Sequence, residues 1–262
     1  SMTELPKTGP AELALIHADW PAPPHVHAVV TTRRGGVSES PWDSLNLGNH
    51  VEDDPLDVAD NRARLQGAIR RIADCGSPQW LNQVHGVTVV EAESQEEKRR
   101  QWVPAADAVT TTQSGLPCIV MTADCLPVFF TDRAGSRVAV AHAGWRGLVD
   151  GVLEATLRHF PDKAEVLAWM GPAIGPQKFE VGAEVRAAFV AQDAAADVCF
   201  RPGAAEGKWL ADIYALARRR LAAAGVQAVY GGDFCTVTDS ARFFSYRRDG
   251  RTGRMASVIW RG

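Results

Sequence analysis

Residues 117–147 read PCIVMTADCLPVFFTDRAGSRVAVAHAGWRG, and this stretch decides the fold. Apolar and β-branched runs over residues 117–121, 127–131 and 137–142 predict three strands with short polar or glycine-containing breaks between them. These breaks are too short for the helical crossover that joins parallel neighbours, so antiparallel pairs are required.

Further strands and helices flank this stretch in mixed order. Similar runs predict strands over residues 26–32, 80–85, 88–91, 108–111, 166–170, 226–230 and 255–260. Apolar residues at helical spacing predict helices over residues 54–72, 148–160, 185–191 and 210–221. The first of these helices is interpreted as scaffold. Because strands and helices do not alternate strictly, the predicted fold class is α+β with mixed β-sheets.

The composition limits the kinds of partner. The chain has 262 residues, of which 46% are hydrophobic, and a net charge of −3 at pH 7. This length can bury one substantial core, and a single domain over residues 1–262 is predicted. The charge balance does not favour nucleic acid or an anionic membrane surface, so the predicted partners are small molecules, with no nucleic acid and no membrane.

The N-terminal residues and the cysteines favour a cytoplasmic protein. Residues 1–20 are interpreted as a tag remnant, with Ser1 before Met2, and an N-terminal extension that lacks the features of a secretory signal. No apolar run approaches the roughly 18 residues that span a bilayer. The five cysteines form no CxxC pair, which fits a reducing compartment.

Three side chains suited to metal binding stand in short motifs of this region: His85, Cys125 and His142. Two imidazoles and a thiolate fill three of the four positions that zinc prefers, and an open fourth position is typical of catalytic zinc. No local spacing rule such as HExxH or CxxC joins them, so spacing alone leaves three readings: a metal site, satisfied core residues, or a Cys125 nucleophile with His142 as its base. The last reading gives His85 no task, and the carboxylate of Asp124 beside the thiol favours a balancing cation.

Arginines in glycine-containing loops are the second informative feature. Arg33 lies just before Gly35, and Arg146 lies four residues after His142. A third group of arginines lies within residues 243–254, and its members Arg247, Arg248 and Arg254 are given no role. Guanidinium groups suit bidentate capture of phosphate or carboxylate, although any single one is more often a solvated surface group. GxGxxG, P-loop and GxSxG motifs are absent, which argues against dinucleotide binding, Walker-type hydrolysis and an α/β-hydrolase.

Seven short strings occur in order along the chain: residues 31–38 (TTRRGGVS), 45–48 (LNLG), 83–86 (QVHG), 122–127 (TADCLP), 142–147 (HAGWRG), 171–176 (GPAIGP) and 244–248 (FSYRR). Together they resemble the YfiH-like family, also called the laccase-domain purine nucleoside phosphorylases. The resemblance runs from about residue 31 to the end of the chain. It implies a single-domain α/β sandwich with mixed β-sheets flanked by helices.

The resemblance also implies a site and an activity. It places zinc on His85, Cys125 and His142, with copper as the alternative metal, and makes Cys125, His142 and Asp124 the catalytic candidates. The implied reaction is phosphorolysis of adenosine, inosine and methylthioadenosine, so that a purine nucleoside and phosphate are the partners, with adenosine deamination as an additional activity. Residues 175–180 depart from the family pattern, in which cysteines and a tyrosine are common, and this puts the preferred substrate in doubt.

Four polar residues are predicted to bind substrate. Arg33 and Arg146 are the hypothetical phosphate or ribose contacts, and the side-chain amides of Asn46 and Gln83 offer both donors and acceptors. Asp124 is expected to orient a metal ligand. The oligomeric state is not indicated by the sequence.

Three other functions are compatible with these motifs. A copper-binding polyphenol oxidase of the laccase type needs more imidazoles for its full cluster than the seven histidines supply. A metal-free cysteine hydrolase would use Cys125 and His142. A binding module without catalysis is the third alternative.

Overall fold

The strands of the 117–147 stretch lie at the centre of the structure, a computed structural model that describes residues 12–262. The interpretation of Ser1 and Met2 as a tag remnant lies outside the described residues. Strands β1 to β13 cover, in chain order, Leu15–His17, Val26–Thr31, Val89–Glu91, Ala108–Thr111, Cys118–Thr122, Leu126–Asp132, Val138–Ala143, Val166–Met170, Glu180–Gly182, Phe200–Pro202, Lys208–Ala211, Ala228–Gly231 and Met255–Arg261. Helices α1 to α7 cover Pro55–Ile72, Glu96–Gln101, Trp145–Asp150, Val152–Leu157, Ala183–Gln192, Ile213–Ala223 and Tyr246–Asp249. Two 3-10 helices cover Lys163–Glu165 and Ala194–Cys199.

The three central strands belong to two different sheets. Strand β5 is an edge of a four-stranded antiparallel sheet of order β1-β2-β13-β5, whereas β6 and β7 lie inside a six-stranded sheet of order β12-β8-β6-β7-β4-β3. In the larger sheet the pairs β12–β8 and β3–β4 are parallel and the other neighbours are antiparallel. The chain therefore passes from one sheet to the other between Thr122 and Leu126, and a small antiparallel sheet of order β10-β11-β9 lies apart from both.

Side-chain alternation along these strands builds the layers. Phe129 and Val140 of the larger sheet share an apolar cluster with Val120 and Ile259 of the smaller sheet, so the two sheets pack face to face. Val128, next to Phe129, points to the opposite face, where the larger sheet packs against helices α3 to α6.

Helix α1 covers the outer face of the smaller sheet. Leu65 and Ile69 of the helix pack against Ile119, Val258 and Trp260. The helix begins where predicted, with the Asp54 carboxylate accepting the N–H of Leu56 and proline in its first turn. The resulting order of helix, sheet, sheet and helices confirms the α+β prediction.

Several predicted elements differ from the structure in type or extent. Residues 80–85 are not a strand, because this segment contributes only one isolated bridge, at Asn82, and the bridge at Gln79 lies just before it. The helix predicted over 210–221 begins at Ile213, where the Asp212 side chain caps it, and residues 208–211 form strand β11 instead. The helix predicted over 148–160 is two helices, α3 and α4, separated by Gly151 in the left-handed conformation with φ 104°.

Helices α2 and α7 were not predicted, since each is short and lacks an apolar face of useful length. Among residues 12–262, no helix combines the length and the apolar character needed to cross a membrane.

Candidate active site

The three predicted metal ligands converge. The ligand atoms of His85, Cys125 and His142 all lie within 4.8 Å of one another. The two imidazole rings meet edge to face, with centroids 4.8 Å apart. His142 is buried, Cys125 is half-buried and His85 is exposed. In the part of the chain that the structure describes, no other group of three or more His, Cys, Asp or Glu side chains is arranged to hold a metal ion.

The crossing between the two sheets brings Cys125 to His142. Strands β6 and β7 are antiparallel with Leu126 opposite Ala143, so that Cys125, one residue before β6, lies beside the end of β7. The crossing bends at Asp124, which has a φ of 109° in the left-handed region. His85 also has a positive φ, of 59°. Non-glycine residues in this region are uncommon and carry strain, of about 1–3 kcal/mol each, and they cluster at functional sites.

Asp107, which the sequence reasoning missed, joins the two histidines. Its buried carboxylate lies 2.7 Å from Nδ1 of His142 and accepts the backbone N–H groups of Val84, His85 and Gly86 at 3.1, 3.0 and 2.9 Å. The ring of His142 is thereby oriented through Nδ1, which leaves Nε2 for a metal ion. Asp107 immediately precedes β4, and a lone carboxylate at the start of an apolar strand was the available signal.

The electrostatics of the trio differ between its two histidines. Burial disfavours the charged form of His142, but Cys125 and Asp107 outweigh this and raise the pKa of its ring to about 9. Burial and the neighbouring His142 lower the pKa of His85. Although burial alone would raise the pKa of Asp107, its hydrogen bonds with His142 and backbone N–H groups lower it. Metal ligation requires neutral imidazoles and a thiolate, so metal binding at this site releases protons.

The space among the three side chains fits a metal ion. A Cβ atom at Gly144 would lie 3.0 Å from Cys125 Sγ and 3.0 Å from His85 Nδ1, so glycine keeps this space clear. Two donors on one zinc ion lie at most about 4.4 Å apart, so small side-chain rotations bring the trio to bonding distance. Two imidazoles and a thiolate suit zinc or copper rather than hard cations such as magnesium.

The trio forms part of the wall of a cavity of about 810 Å³. The same wall carries four arginines, Arg62, Arg146, Arg247 and Arg254. It also carries four large aromatic side chains, Trp80, Trp145, Phe179 and Tyr246. This mixture of aromatic surfaces and a few charged groups is typical of small-molecule sites.

Two of the predicted substrate-binding residues line this cavity. Arg146 is exposed there, with its guanidinium 4.8 Å from the ring centroid of Trp145. Gln83 is fixed by two hydrogen bonds to the backbone of Met121, both of 2.7 Å. These bonds tie the loop that carries His85 to the end of β5.

The other two predicted substrate-binding residues lie outside the cavity lining. Asn46 is fully buried, and its side-chain oxygen Oδ1 accepts hydrogen bonds from the backbone N–H groups of Gly48 at 2.9 Å and Arg254 at 3.0 Å. Arg33 borders a separate cavity, where it binds the backbone of Asp43 and Ser240 and stacks on Phe244. The structure therefore places Asn46 behind Arg254 and does not bring Arg33 to the metal ligands.

Asp124 lines the cavity but does not contact His142 through its carboxylate. That carboxylate accepts the Thr236 hydroxyl at 2.6 Å and the backbone N–H of Arg247 at 2.7 Å. Asp124 thus joins the sheet crossing, and with it Cys125, to the C-terminal part of the chain. Asp107, and not Asp124, orients His142.

Arg62 was missed as a site residue because helix α1 was interpreted as scaffold. It lies on the buried face of the helix, four residues after Val58 and three before Leu65, both of which are buried. Its guanidinium lies 3.7 Å from the ring centroid of Trp80. A charged residue in the apolar stripe of an amphipathic helix was a usable signal.

The divergent segment of residues 175–180 belongs to this site. Phe179 lines the cavity, and its ring centroid lies 5.6 Å from the guanidinium carbon of Arg247. The departure from the family pattern therefore falls where a bound small molecule would be contacted.

Comparison with known proteins places the chain in a well-defined group. Residues 27–262 match the family model described as multi-copper polyphenol oxidoreductase laccase. A Pseudomonas aeruginosa protein named purine nucleoside phosphorylase is 57% identical over 248 residues, covering 94% of this chain and 98% of the relative. Purine nucleoside phosphorylase YfiH of Escherichia coli is 53% identical over 247 residues, with the same coverage of both chains. A crystal structure of a Neisseria meningitidis protein has a TM-score of 0.87 and 48% identity, covering 94% of this chain and 98% of that one.

Proposed function

Because the chain belongs to the YfiH-like family, within the group described as multi-copper polyphenol oxidoreductase laccase, and its relatives are named purine nucleoside phosphorylases, we propose that it cleaves purine nucleosides with phosphate. The main support for this proposal is that His85, Cys125 and His142 line the same cavity as cationic and aromatic side chains.

The proposed reaction is a glycosyl transfer to phosphate. A phosphate oxygen forms a bond to C1′ of the ribose while the bond from C1′ to N9 breaks and its electron pair goes to the purine. The departing base takes up the proton that dihydrogen phosphate loses, giving free base and ribose 1-phosphate. The site must hold phosphate on one face of the ribose, support a cation-like sugar and stabilise the leaving base.

The chain's own residues are suited to these tasks. The exposed ring of Tyr246 offers a flat apolar surface for a purine or ribose, and burial of such surfaces contributes most to binding of small ligands. Arg146 extends into the cavity on a helix that begins two residues after Ala143 at the end of β7, close to the metal ligands. Its exposed guanidinium suits a phosphate or ribose oxygen.

His85, Cys125 and His142 would hold the metal, which we propose to be zinc, with copper as the alternative. When bound by these residues, zinc would supply a positive charge that could polarise a substrate oxygen and stabilise negative charge in the transition state. Asp107 keeps His142 in the orientation that ligation needs. Asp124 acts as a positioning residue, because it fixes the backbone next to Cys125.

The proposed substrates are adenosine, inosine and methylthioadenosine, which share a purine and a 5′-uncharged ribose. An additional adenosine deaminase activity, in which water replaces the C6 amino group and ammonia leaves, is part of the same proposal. The cavity volume of about 810 Å³ accommodates a nucleoside together with phosphate.

One observation favours a second candidate, a metal-free cysteine hydrolase. Sγ of Cys125 lies within 4.8 Å of a ring nitrogen of His142, and Nδ1 of His142 in turn lies 2.7 Å from Asp107, which is the order of nucleophile, base and orienting carboxylate. This arrangement leaves His85 without a role. Alkylation of Cys125 with and without a chelator separates the two candidates, since a metal-bound thiolate is protected and chelation exposes it.

Metal analysis of the purified protein, paired with chromatography of its reaction with adenosine, tests the proposal. We expect about one metal ion per chain, and free base with ribose 1-phosphate only when phosphate is present. Release of base at the same rate without phosphate would refute phosphorolysis.

A further inference from the structure

None of the four arginines of the cavity forms an ion pair with another described residue, and two of the four, Arg62 and Arg254, are partly buried. Neither Arg62 nor Arg254 is among the ion pairs that the structure shows within residues 12–262. Both are more buried than a surface arginine, and burial lowers the pKa of Arg62 to about 10 and also lowers that of Arg254. Removing unpaired cationic groups from water is unfavourable, so an arrangement of this kind indicates an anionic ligand.

A third group of the same sign lies next to them. His50 also lines the cavity, and after burial the charges of Arg254 and Arg62 lower its pKa. The three groups thus lie close enough to repel one another when protonated. Neutral His50 still offers one ring N–H, so the cluster can donate hydrogen bonds without adding a further charge.

The LNLG motif of residues 45–48 builds this cluster. The Leu47 carbonyl accepts Nε of Arg62 at 3.0 Å, and Asn46 fixes the backbone N–H of Arg254 at 3.0 Å. A Cβ at Gly48 would lie 3.0 Å from Cγ of Arg254 and 3.3 Å from Cε1 of His50, so the absence of a side chain lets the two pack together. Asn46, which was predicted to bind substrate, therefore does not line the cavity but fixes the backbone of Arg254, which does.

Several guanidinium donors in the cluster remain available. The guanidinium carbon of Arg62 lies 3.7 Å from the ring centroid of Trp80. Apart from the Leu47 carbonyl, its only hydrogen-bond partner among the described residues is Sδ of Met121, at 4.0 Å. The side chain of Arg254 donates through Nη1 alone, to the carbonyls of Thr252 and Gly253. Its Nε and Nη2 groups, like Nη1 of Arg62, have no hydrogen-bond partner among the described residues. Preoriented guanidinium edges of this type suit the oxygens of a tetrahedral oxyanion.

We propose that Arg62, Arg254 and His50 form the subsite that binds inorganic phosphate, a role that rests on the proposed phosphorolysis. These three side chains line the same cavity as His85, Cys125 and His142, so the subsite shares its space with the predicted metal ligands. Phosphate held here leaves Tyr246, an exposed aromatic residue of the same cavity, for the nucleoside. Arg146 then contacts phosphate or ribose from the exposed side.

Direct binding of inorganic phosphate, measured by calorimetry without any nucleoside, tests the subsite. We expect the dissociation constant to rise on the order of 10- to 100-fold in Arg62→Gln and in Arg254→Gln, as when a hydrogen bond to a charged group is lost. The matched control is Arg71→Gln, an exposed arginine on the same helix, which should bind phosphate like the wild type. Unchanged phosphate affinity in both cavity variants would overturn the subsite.

Two further measurements keep the result interpretable. His50→Gln replaces an exposed side chain, so it tests the same subsite even if loss of the bond to Leu47 prevents Arg62→Gln from folding. We again expect the dissociation constant for phosphate to rise, and an unchanged constant counts against the proposal. Adenosine 5′-monophosphate serves as the competing source of a phosphate group. If this nucleotide binds more tightly than inorganic phosphate and the same variants lose that binding, the ligand of the subsite is the nucleotide and not inorganic phosphate.

Failure of the subsite and failure of the proposed function give different results. If wild-type protein releases ribose 1-phosphate but the variants keep the wild-type KM for phosphate, the function stands and the subsite is wrong. If the protein binds phosphate through Arg62 and Arg254 but cleaves no nucleoside, the subsite stands and phosphorolysis is wrong.

Discussion

The carboxylate of Asp107 joins the two histidines of the metal cluster, because it lies 2.7 Å from Nδ1 of His142 and accepts the backbone N–H of His85 at 3.0 Å. One side chain thus sets both the ring orientation of His142 and the position of the loop that carries His85. A substitution at Asp107 can be tested for metal affinity and for folding in separate measurements.

Asp107→Asn should weaken metal binding while the ligands themselves remain. An amide accepts fewer hydrogen bonds than a carboxylate and does not stabilise the same ring orientation, and loss of such an orienting group typically costs about 10- to 100-fold in metal affinity. Competition with a chromophoric chelator measures the affinity. Asp150→Asn, which changes an exposed carboxylate at the end of α3, is the control and should bind metal normally. Equal affinity in both variants would contradict the role given to Asp107.

Cys125→Ala should abolish bound metal and activity together while leaving the fold intact. The thiolate is one of the three proposed metal ligands, and the side chain is half-buried, so its removal creates little empty space in the core. Elemental analysis and a thermal melt of the metal-free forms check the two parts. Cys199→Ala removes a thiol from the core on the far face of the larger sheet and should keep the metal. A Cys125→Ala protein that retains stoichiometric metal would remove the cysteine from the ligand set.

Gly144→Ala should impair metal binding through space alone. The backbone at residue 144 has φ −70° and ψ 171°, which alanine adopts without strain. The added Cβ would nevertheless lie 3.0 Å from both Cys125 Sγ and His85 Nδ1, so the ligands must move apart. Metal content after dialysis against a weak chelator is the measurement.

Gly67→Ala provides the matched control for this change. A Cβ there meets nothing closer than 3.9 Å within helix α1, and replacing a helical glycine should stabilise the fold by about 0.5–1 kcal/mol. If Gly144→Ala binds metal as tightly as Gly67→Ala, the space at residue 144 is not part of the metal site.

Arg146→Ala should weaken the use of phosphate with little change in metal content. Its guanidinium lines the cavity but is not a metal ligand, and one lost charged hydrogen bond corresponds to a rise in KM for phosphate on the order of 10-fold. Initial rates at varied phosphate and saturating nucleoside give this KM. Arg158→Ala, at an exposed position beyond the cavity, should leave it unchanged. An unaltered phosphate dependence in Arg146→Ala would remove that residue from phosphate binding.

The sequence alone predicted the metal ligands better than their surroundings. His85, Cys125 and His142 stand in short ordered motifs, and Cys125 and His142 also lie at the ends of apolar runs that form strands β5, β6 and β7, whereas the run before His85 does not form the predicted strand. Asp107 carries no such motif, and its importance depends on β4 pairing with β7, a contact between residues that are more than thirty positions apart. Pairing partners of this kind cannot be obtained from local patterns.

Local sequence patterns were also insufficient to predict which arginines line the cavity. Arg33 and Arg146 both stand beside glycines, yet only Arg146 reaches the cavity, because Arg33 is held between Asp43 and Phe244. Arg62 lies in a helix that the sequence indicated as scaffold, and its position on the buried face was the one local clue. The division of strands β5 and β6 between two sheets was also not predictable, since their short connection is equally compatible with a hairpin.

The most direct test of phosphorolysis at this centre is phosphorus NMR of the protein with inosine and inorganic phosphate, before and after metal removal and reloading. We expect the metal-loaded protein to convert inorganic phosphate to ribose 1-phosphate, the ribose 1-phosphate signal to be lost after chelation, and the signal to return with zinc. Ribose without phosphate, or an equal rate after complete metal removal, would contradict this expectation.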